Sequence, residues 1–245
     1  MSALIVGASA GLGRALAESL ARGGHDLYLL ASDDRDLEPL AQDLSLRYGI
    51  RIHYEAMDLM NTELVGLRER VLAALPDLDN LLLIAGYSDA RAVGPLADAD
   101  CLRLMTINFV AGVRLINLFL GHLMARQGGN IVGAGSVAAA RGRSNNAVYA
   151  ASKRGLEFYF ETLRHFLALS KSPCRVQWYR LGYMQTRMTF GQKLMFKSIA
   201  PEVAAAAITQ NLGKDIPLRY LPRWWFIIMT IIRSLPWPIF RRLDI

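Results

Sequence analysis

Short apolar runs alternate along the chain with stretches that carry apolar side chains at helical spacing. The apolar runs have the length of strands and are bounded by turn residues; they cover residues 2–6, 26–31, 51–57, 80–85, 130–135 and 175–179. The helical stretches are residues 11–22, 34–48, 62–74, 100–126, 147–170 and 201–213. Because nearly continuous apolar strands alternate with helices, we predict a parallel sheet covered by helices on both faces. This is an α/β fold with a doubly wound sheet, in a single domain over residues 1–216.

Composition supports one folded domain and narrows the range of partners. Of the 245 residues, 53% are hydrophobic and 20% are charged, which argues against a disordered chain. The net charge is +7, but the chain has no lysine-rich run, zinc-finger spacing or aromatic–basic RNA motif, so we expect no nucleic-acid partner. The two cysteines and four histidines lack metal-ligand spacing, so we expect no metal, no disulfide framework and a reducing compartment. We expect no signal peptide, and no apolar run reaches the roughly 20 residues that a membrane-spanning helix needs.

A glycine-rich loop, Gly7-Ala8-Ser9-Ala10-Gly11-Leu12-Gly13, joins the first predicted strand to the first predicted helix. Glycines at such a place let the backbone approach a pyrophosphate group without a Cβ clash. The free N–H groups and partial positive charge of the helix N-terminus attract the same group. The loop therefore indicates a nucleotide site, although tight packing of the helix on the strand would also account for the glycines.

Four polar residues further along the chain are candidates for proton transfer. Tyr149 and Lys153 are four residues apart in a predicted helix and so share one face. Ser136 follows the fifth predicted strand, at the carboxyl end where ligands bind in such sheets, and Asn108 lies inside the long helix before it. Each has an ordinary alternative: Asn108 as packing inside a helix, Ser136 as a cap, and Tyr149 as a core aromatic.

Together with the glycine loop, these residues resemble the short-chain dehydrogenase/reductase family over residues 2–215. The motifs that carry the resemblance are Gly7-x-x-x-Gly11-x-Gly13, Asp58-Leu59, Ala85-Gly86, Asn108, Ser136, Tyr149-x-x-x-Lys153 and Gly182-x-x-x-Thr186. The family implies a Rossmann-like fold, a nicotinamide cofactor, and hydride transfer to a carbonyl or from an alcohol. It also implies a homo-oligomer formed through the two long helices, 100–126 and 147–170. A non-catalytic nucleotide-binding regulator is the alternative, and the intact Ser136, Tyr149 and Lys153 argue against it.

The resemblance assigns a role to each catalytic candidate. Tyr149 would exchange a proton with the substrate oxygen, and Lys153 would lower the tyrosine pKa from its ordinary value near ~10. Lys153 would also hold the nicotinamide ribose, and Ser136 would hydrogen-bond the substrate oxygen. Asn108 would keep a water molecule that links Lys153 to solvent. The cofactor-binding residues implied by the family are Gly7, Ser9, Ala10, Gly11, Leu12, Gly13, Ser32, Asp58, Leu59, Ala85, Gly86, Tyr149, Lys153, Gly182 and Thr186.

Four residues depart from the family pattern, and the choice between the two nicotinamide cofactors stays open. Val6 replaces a usual threonine, Leu83-Ile84 replaces two asparagines that brace the sheet, and Leu181 replaces a proline. Ser32, at the end of the second strand, could accept a 2′-phosphate with help from Arg35, whereas Asp33 would repel it. We favour NADP(H) over NAD(H).

The C-terminal segment, residues 217–245, differs in composition from the rest of the chain. An apolar, tryptophan-rich run over residues 224–232 lies between Arg223 and Arg233, and the segment contains five arginines and one aspartate. Tryptophan favours membrane interfaces and arginine favours anionic headgroups, so we expect a membrane-interfacial segment that delivers a lipophilic substrate. The alternatives are that it caps the core or forms a subunit interface.

The end of this segment is similar to that of the decaprenylphosphoryl-2-keto-pentose reductases. The similarity covers residues 231–243, Ile-Ile-Arg-x-Leu-Pro-x-Pro-Ile-Phe-Arg-Arg-Leu. It implies reduction of a polyprenyl-phosphate-linked keto-sugar in cell-wall glycan synthesis, with the enzyme in the cytoplasm at the inner face of the membrane. Another lipophilic carbonyl or alcohol, of steroid or acyl type, is the alternative substrate.

Overall fold

The computed structural model describes residues 1–60, 64–88, 94–187, 189–191 and 195–243. The strands are β1 (Ser2–Val6), β2 (Asp26–Ala31), β3 (Ile52–Ala56), β4 (Leu78–Leu83), β5 (Asn130–Ser136), β6 (Arg175–Leu181) and β7 (Leu218–Leu221). The helices are α1 (Gly11–Arg22), α2 (Asp34–Tyr48), α3 (Leu67–Ala74), α4 (Asp98–Met105), α5 (Ala111–Ala125), α6 (Ala147–Leu169), α7 (Pro201–Thr209), α8 (Trp225–Ser234) and α9 (Trp237–Phe240).

The strands form one parallel sheet in the order β3-β2-β1-β4-β5-β6-β7. The chain builds outward from β1 to β3, then returns to place β4 beside β1 and builds outward on the other side. The loops after β1 and β4 therefore diverge at the carboxyl edge of the sheet, and such a divergence is where doubly wound sheets bind ligands. The predicted Rossmann-like α/β sheet in a single domain is confirmed.

Each face of the sheet packs against its own layer of helices. On one face, apolar residues of α1, α2 and α7, such as Leu16, Leu40 and Ile208, pack together in one cluster. On the other face, residues of α5 and α6, such as Phe119 and Phe160, form a second cluster. Strand side chains alternate between the clusters, which is why the strands are apolar at nearly every position.

A seventh strand was missed by the sequence analysis, and several boundaries shifted. The four residues of β7 pair with β6 from Trp178 to Leu181, so the beginning of the segment 217–245 belongs to the sheet. The third helix begins at Leu67, after Gly66, rather than at residue 62; residues 61–63 lie outside the described ones. Strand β4 begins two residues earlier than predicted and ends at Leu83.

One helical stretch contradicts the expectation about membrane-spanning segments. Residues 98–125, comprising α4, a π-helical turn (Thr106–Val110) and α5, are long and apolar enough to cross a membrane by length and composition. In the fold, however, Leu115, Phe119 and Leu123 of this stretch are fully buried in the second cluster. Its apolar character is therefore accounted for by packing against the sheet and α6.

Candidate active site

A cleft of about 520 Å³ runs along the carboxyl edge of the sheet. Its volume lies within the range of small-molecule sites, which is roughly 300–1,000 Å³. The residues predicted from sequence line it, with two exceptions, Gly13 and Asn108. The cleft therefore brings together the glycine loop, the proton-transfer candidates and the residues after β3, β4 and β6.

The glycine loop is shaped both by close packing and by an open helix terminus. Gly7 has a φ of +91°, and a Cβ there would lie 2.6 Å from the Ala85 nitrogen. A Cβ at Gly13 would lie 1.9 Å from the Gly7 carbonyl oxygen, so Gly13 allows the helix to pack closely on the loop. Gly13 was predicted to bind the cofactor, but it does not line the cleft. Helix α1 begins after Ala10, whose side chain cannot cap it, and Gly11 and Leu12 of its first turn line the cleft. This uncapped terminus fits the pyrophosphate of a dinucleotide.

Tyr149 and Ser136 lie together on the cleft wall. The Ser136 hydroxyl accepts a hydrogen bond from the Ala138 amide at 3.1 Å. Burial raises the pKa of Tyr149, and the nearby Ser136 hydroxyl offsets part of that rise. The pKa of Tyr149 is therefore raised, whereas Lys153 was predicted to lower it.

The contacts of Lys153 explain why the pKa of Tyr149 is not lowered as predicted, because the lysine amine binds backbone carbonyl groups. Its Nζ donates to the Ala85 oxygen at 3.2 Å and the Ala134 oxygen at 3.3 Å. The side chain is only 4% exposed, and this burial lowers the pKa of Lys153 to about 8. Desolvation thus disfavours the charged forms of both groups, so the proton stays on the phenol and the amine loses part of its charge.

Asn108 braces the backbone instead of lining the cleft. Its side-chain amide donates to the Tyr87 oxygen at 2.8 Å and accepts from the Tyr87 nitrogen at 2.8 Å. It lies in the π-helical turn between α4 and α5, an irregularity common at functional sites. The side chain thereby fixes the segment after β4, and the role predicted for Asn108, holding a water for Lys153, stays a prediction.

The missing asparagines after β4 are replaced by backbone contacts. The amides of Ile84 and Ala85 both donate to the Val6 oxygen, at 3.0 and 2.8 Å. These two bonds close the gap between β1 and β4, and the Ala85 oxygen then receives the Lys153 amine. The bracing that the sequence left in doubt is therefore supplied by the main chain.

At the adenosine end of the cleft, the two charged residues considered from sequence pair with each other. The Asp33 carboxylate caps α2 by accepting from the Arg35 amide at 3.0 Å and also binds the Arg35 guanidinium, which holds the pKa of Asp33 at about 2. Neither lines the cleft, whereas Ser32 does. Arg187, which the sequence analysis missed, lines the cleft and lies 3.5 Å from Asp36.

Asp58, on the same side, lines the cleft beside Leu59, and its carboxylate accepts from the Met60 amide at 2.9 Å. It thus closes the turn after β3, at a place where it can also contact a nucleotide.

The substrate end of the cleft contains further residues that motif reasoning missed. Arg143 and Asn146, from the loop between Ser136 and Tyr149, line the cleft, as do Arg103 of α4 and Tyr183 after β6. The one sequence signal for Arg143 and Asn146 was their position, because residues 137–146 connect two catalytic candidates. The segment 184–200 also contributes, since Met184, Thr186, Arg187 and Thr189 line the cleft; residues 188 and 192–194 of this segment lie outside the described ones.

The C-terminal segment is built into this end of the cleft. Trp225 of α8 is 3% exposed and packs edge-on against Tyr183 and Phe196. A Cβ at Gly182 would lie 1.9 Å from Trp225 Nε1, so this glycine, predicted to bind cofactor, also makes room for the indole. Arg141 donates to the Leu235 oxygen at 2.7 Å and lies 3.7 Å from the Phe240 ring centroid.

Comparison with known proteins agrees with this geometry. Residues 1–195 match the short chain dehydrogenase family. An uncharacterized oxidoreductase of Mycobacterium tuberculosis is 29% identical, covering 98% of this chain and 95% of its own length. A hydroxysteroid 11-beta-dehydrogenase 1-like protein of Xenopus laevis is 27% identical over 94% of this chain and 81% of its own.

Among solved structures, an alcohol dehydrogenase from the archaeon Thermococcus sibiricus, complexed with 5-hydroxy-NADP, is similar with a TM-score of 0.79. It is 25% identical, and the match covers 89% of this chain and 94% of that one. The residues of the cleft fit such a cofactor, since the uncapped start of α1 and the buried Lys153 face a common space. The chain belongs to the short-chain dehydrogenase/reductase family and is an NAD(P)-dependent oxidoreductase of carbonyl compounds.

Proposed function

We propose that the enzyme works as a reductase in which Tyr149 supplies the proton and Ser136 holds the substrate oxygen. The observation that supports this most is the meeting of Ser136, Tyr149 and buried Lys153 in one cleft, with the Ser136 hydroxyl close enough to offset part of the rise in the pKa of Tyr149. The nicotinamide cofactor, when bound, supplies the hydride. Because burial keeps the phenol protonated, Tyr149 is in the form that donates to a carbonyl oxygen.

Ser136 and Lys153 assist this proton transfer in different ways. The Ser136 hydroxyl accepts from the Ala138 amide, which fixes its oxygen and leaves its proton for the developing oxyanion of the substrate. The Lys153 amine, whose pKa burial lowers to about 8, can pass a proton toward the phenol after each turnover and regain one from solvent.

For the cofactor we propose NADP(H). The capping and pairing of Asp33 remove the negative charge that would repel a 2′-phosphate. Ser32 offers a hydroxyl in the cleft, and Arg187 adds a positive charge there. These features support a 2′-phosphate contact from Ser32 and Arg187 rather than from Arg35.

For the substrate we propose a carbonyl carried on a lipid, with a polyprenyl-phosphate-linked keto-sugar of cell-envelope glycan synthesis as first candidate. The similarity of residues 231–243 to keto-pentose reductases supports it. So does the placement of α8 against the substrate end of the cleft. A steroid or acyl carbonyl is the second candidate, supported by the similarity to a hydroxysteroid dehydrogenase-like protein.

We also propose that the outer surface of the C-terminal segment binds the inner face of the cell membrane. Trp225, Met229 and Phe240 are buried, whereas Phe226, Ile227 and Ile231 are more than half exposed on the other side of α8. Trp237 and Ile239 are exposed beside them, and Arg223, Arg233, Arg241 and Arg242 are exposed around them. An apolar face with a basic border suits an anionic bilayer surface.

Turnover with purified enzyme tests the reductase. NADPH oxidation should be measured with a polyprenyl-phosphate keto-sugar, a steroid ketone and a simple aliphatic ketone. Tyr149→Phe should lower turnover by about 10²–10⁴-fold and leave NADPH affinity unchanged, because it removes only the proton. Near-normal turnover by this variant would exclude Tyr149 as the donor, and no turnover of any carbonyl by the wild type would favour the regulator alternative.

Liposome flotation tests the membrane surface. The double change Ile227→Ser with Ile231→Ser alters exposed residues only and should release the protein from anionic vesicles. The matched control changes Leu46 and Val65, which are equally apolar and 86% exposed far from the segment, to serine. Equal binding by both variants and the wild type would contradict this proposal.

A further inference from the structure

Arg143 has a buried hydrogen-bond donor for which the described part of the protein supplies no acceptor. It lies in the loop between Ser136 and Tyr149 and lines the cleft. Its Nε is buried, and no described residue offers that atom a hydrogen-bond acceptor. No described carboxylate forms an ion pair with its guanidinium, although most of the described ion pairs use an arginine. A buried guanidinium N–H without an acceptor is unfavourable unless a ligand provides one.

A second cation enters the same cleft from another element. The Arg103 guanidinium of α4 lies 4.6 Å from the ring centroid of Tyr87, and both residues line the cleft. Asn108 fixes the Tyr87 backbone with two hydrogen bonds, so the ring under Arg103 is held in place. Among the described lining residues the sole carboxylate is Asp58, which lies on the far side, after β3.

Both arginines lie across the sheet from the loops that would bind the cofactor's phosphates. The glycine loop follows β1, and Ser32 follows β2, on the side of the sheet that continues to β3. Arg103 and Arg143 come from segments after β4 and β5, on the opposite side, where Ser136 and Tyr149 lie. They therefore lie on the side of the cleft that contains the proton-transfer residues.

We propose that Arg143, assisted by Arg103, forms a subsite for an oxyanion carried by the carbonyl substrate. The guanidinium matches the paired oxygens of a phosphate or a carboxylate. Asn146, beside it in the cleft, has a buried Oδ1 without a described partner and can accept from a substrate hydroxyl. The subsite rests on the proposed reductase function and deepens it, because it requires a substrate that is polar and anionic near its carbonyl.

Matched substrate pairs test the subsite. One pair is a pentulose and its phosphate ester, and the other is a keto acid and its methyl ester. Arg143→Gln should raise KM for the phosphate ester or the keto acid by about tenfold or more, and Arg143→Lys should restore part of it. KM for the uncharged partners and the Kd of NADPH should not change. A response of the first pair would indicate a phosphate, and a response of the second pair would indicate a carboxylate. Arg22→Gln on α1 is the control for the loss of one positive charge.

A binding measurement keeps the result independent of turnover. Inorganic phosphate should raise the Tm of the NADPH-saturated wild type and of Arg22→Gln, at matched ionic strength, but not that of Arg143→Gln. If uncharged carbonyls are reduced and neither charged pair nor phosphate responds to Arg143→Gln, the subsite is wrong and the reductase stands. If phosphate binding depends on Arg143 but no carbonyl is reduced, the reductase is wrong, and Arg143 is an anion site that does not serve a carbonyl substrate.

Discussion

The two ends of the cleft are held in place by different parts of the protein. At the cofactor end, main-chain groups dominate: Gly7 and Ala85 approach closely, and the Ile84 and Ala85 amides bind the Val6 oxygen. At the substrate end, side chains from distant segments dominate, as in the packing of Gly182, Trp225 and Phe196. Main-chain geometry needs only a few glycines at fixed spacing, whereas a side-chain network can be built in many ways. This difference explains why short motifs in the sequence predict the cofactor end better than the substrate end.

Beneath the substrate end, a buried charged network ties the catalytic helix to the outer strands. Glu157 of α6 accepts from Trp178 Nε1 at 2.9 Å and from Arg180 Nε at 2.8 Å. Arg180 also contacts the Tyr220 hydroxyl of β7. Glu157 lies one turn after Lys153, so this network fixes the helix that carries both proton-transfer residues.

Breaking that network should have the largest effect on stability. Glu157→Ala leaves Arg180, which is 3% exposed, without its carboxylate, and we expect a loss of about 3–5 kcal/mol in the free energy of unfolding. Urea denaturation checks this, with Glu161→Ala, at an exposed position on the same helix, as control. A loss below about 1 kcal/mol would mean that side-chain pairing does not hold the substrate end together.

Lys153, where the two ends meet, should make stability depend on pH. Its folded pKa of about 8 lies below the ordinary 10.5, so the unfolded state binds more protons between these values and stability rises with pH across that window. Below pH 8 the full cost of burying the charge is present, up to about 3 kcal/mol. Lys153→Met should therefore be more stable than wild type at pH 7, and the difference should shrink toward pH 10. Denaturation curves at both pH values check this; a difference independent of pH would contradict it.

We expect a substitution of Gly182 to disturb the packing at the substrate end of the cleft rather than the cofactor end. Gly182→Ala places a Cβ against the Trp225 indole, and we expect a loss of roughly 1–3 kcal/mol. Because Trp225 Nε1 has no described partner, Trp225→Phe should recover part of this loss in the double variant. Thermal unfolding measures the cycle, and Gly142→Ala, where a Cβ meets open space, is the control. Strictly additive effects would rule out the steric coupling.

The smallest expected effect concerns the adenosine end. Arg187→Ala should weaken NADPH binding by about fivefold, roughly 1 kcal/mol, and leave NADH binding unchanged. Arg35→Ala should also weaken NADPH binding, because it leaves the Asp33 carboxylate unpaired and able to repel the 2′-phosphate. Arg51→Ala, at a position outside the cleft, should change the binding of neither cofactor. Fluorescence titration of both cofactors checks this, and tighter binding of NADH than NADPH by the wild type would overturn the NADP(H) proposal.

The sequence alone determined the sheet, its helical layers and the residues that follow a short motif. Apolar runs and helical spacing are local, and so are Gly7, Gly11, Tyr149 and Lys153, which the fold brings to one cleft. Local patterns missed β7 because it is four residues long and has mixed polarity. They also did not show that Gly13 packs against the Gly7 carbonyl or that Asn108 binds the Tyr87 backbone.

Only the tertiary structure decided what the substrate end contains. It divided the C-terminal segment into a buried side with Trp225 and an exposed side with Ile227. It also reversed the expected pKa direction of Tyr149 and placed Arg103 and Arg143 in one cleft. Desolvation and long-range side-chain contacts depend on which segments meet, and spacing along the chain does not contain that information.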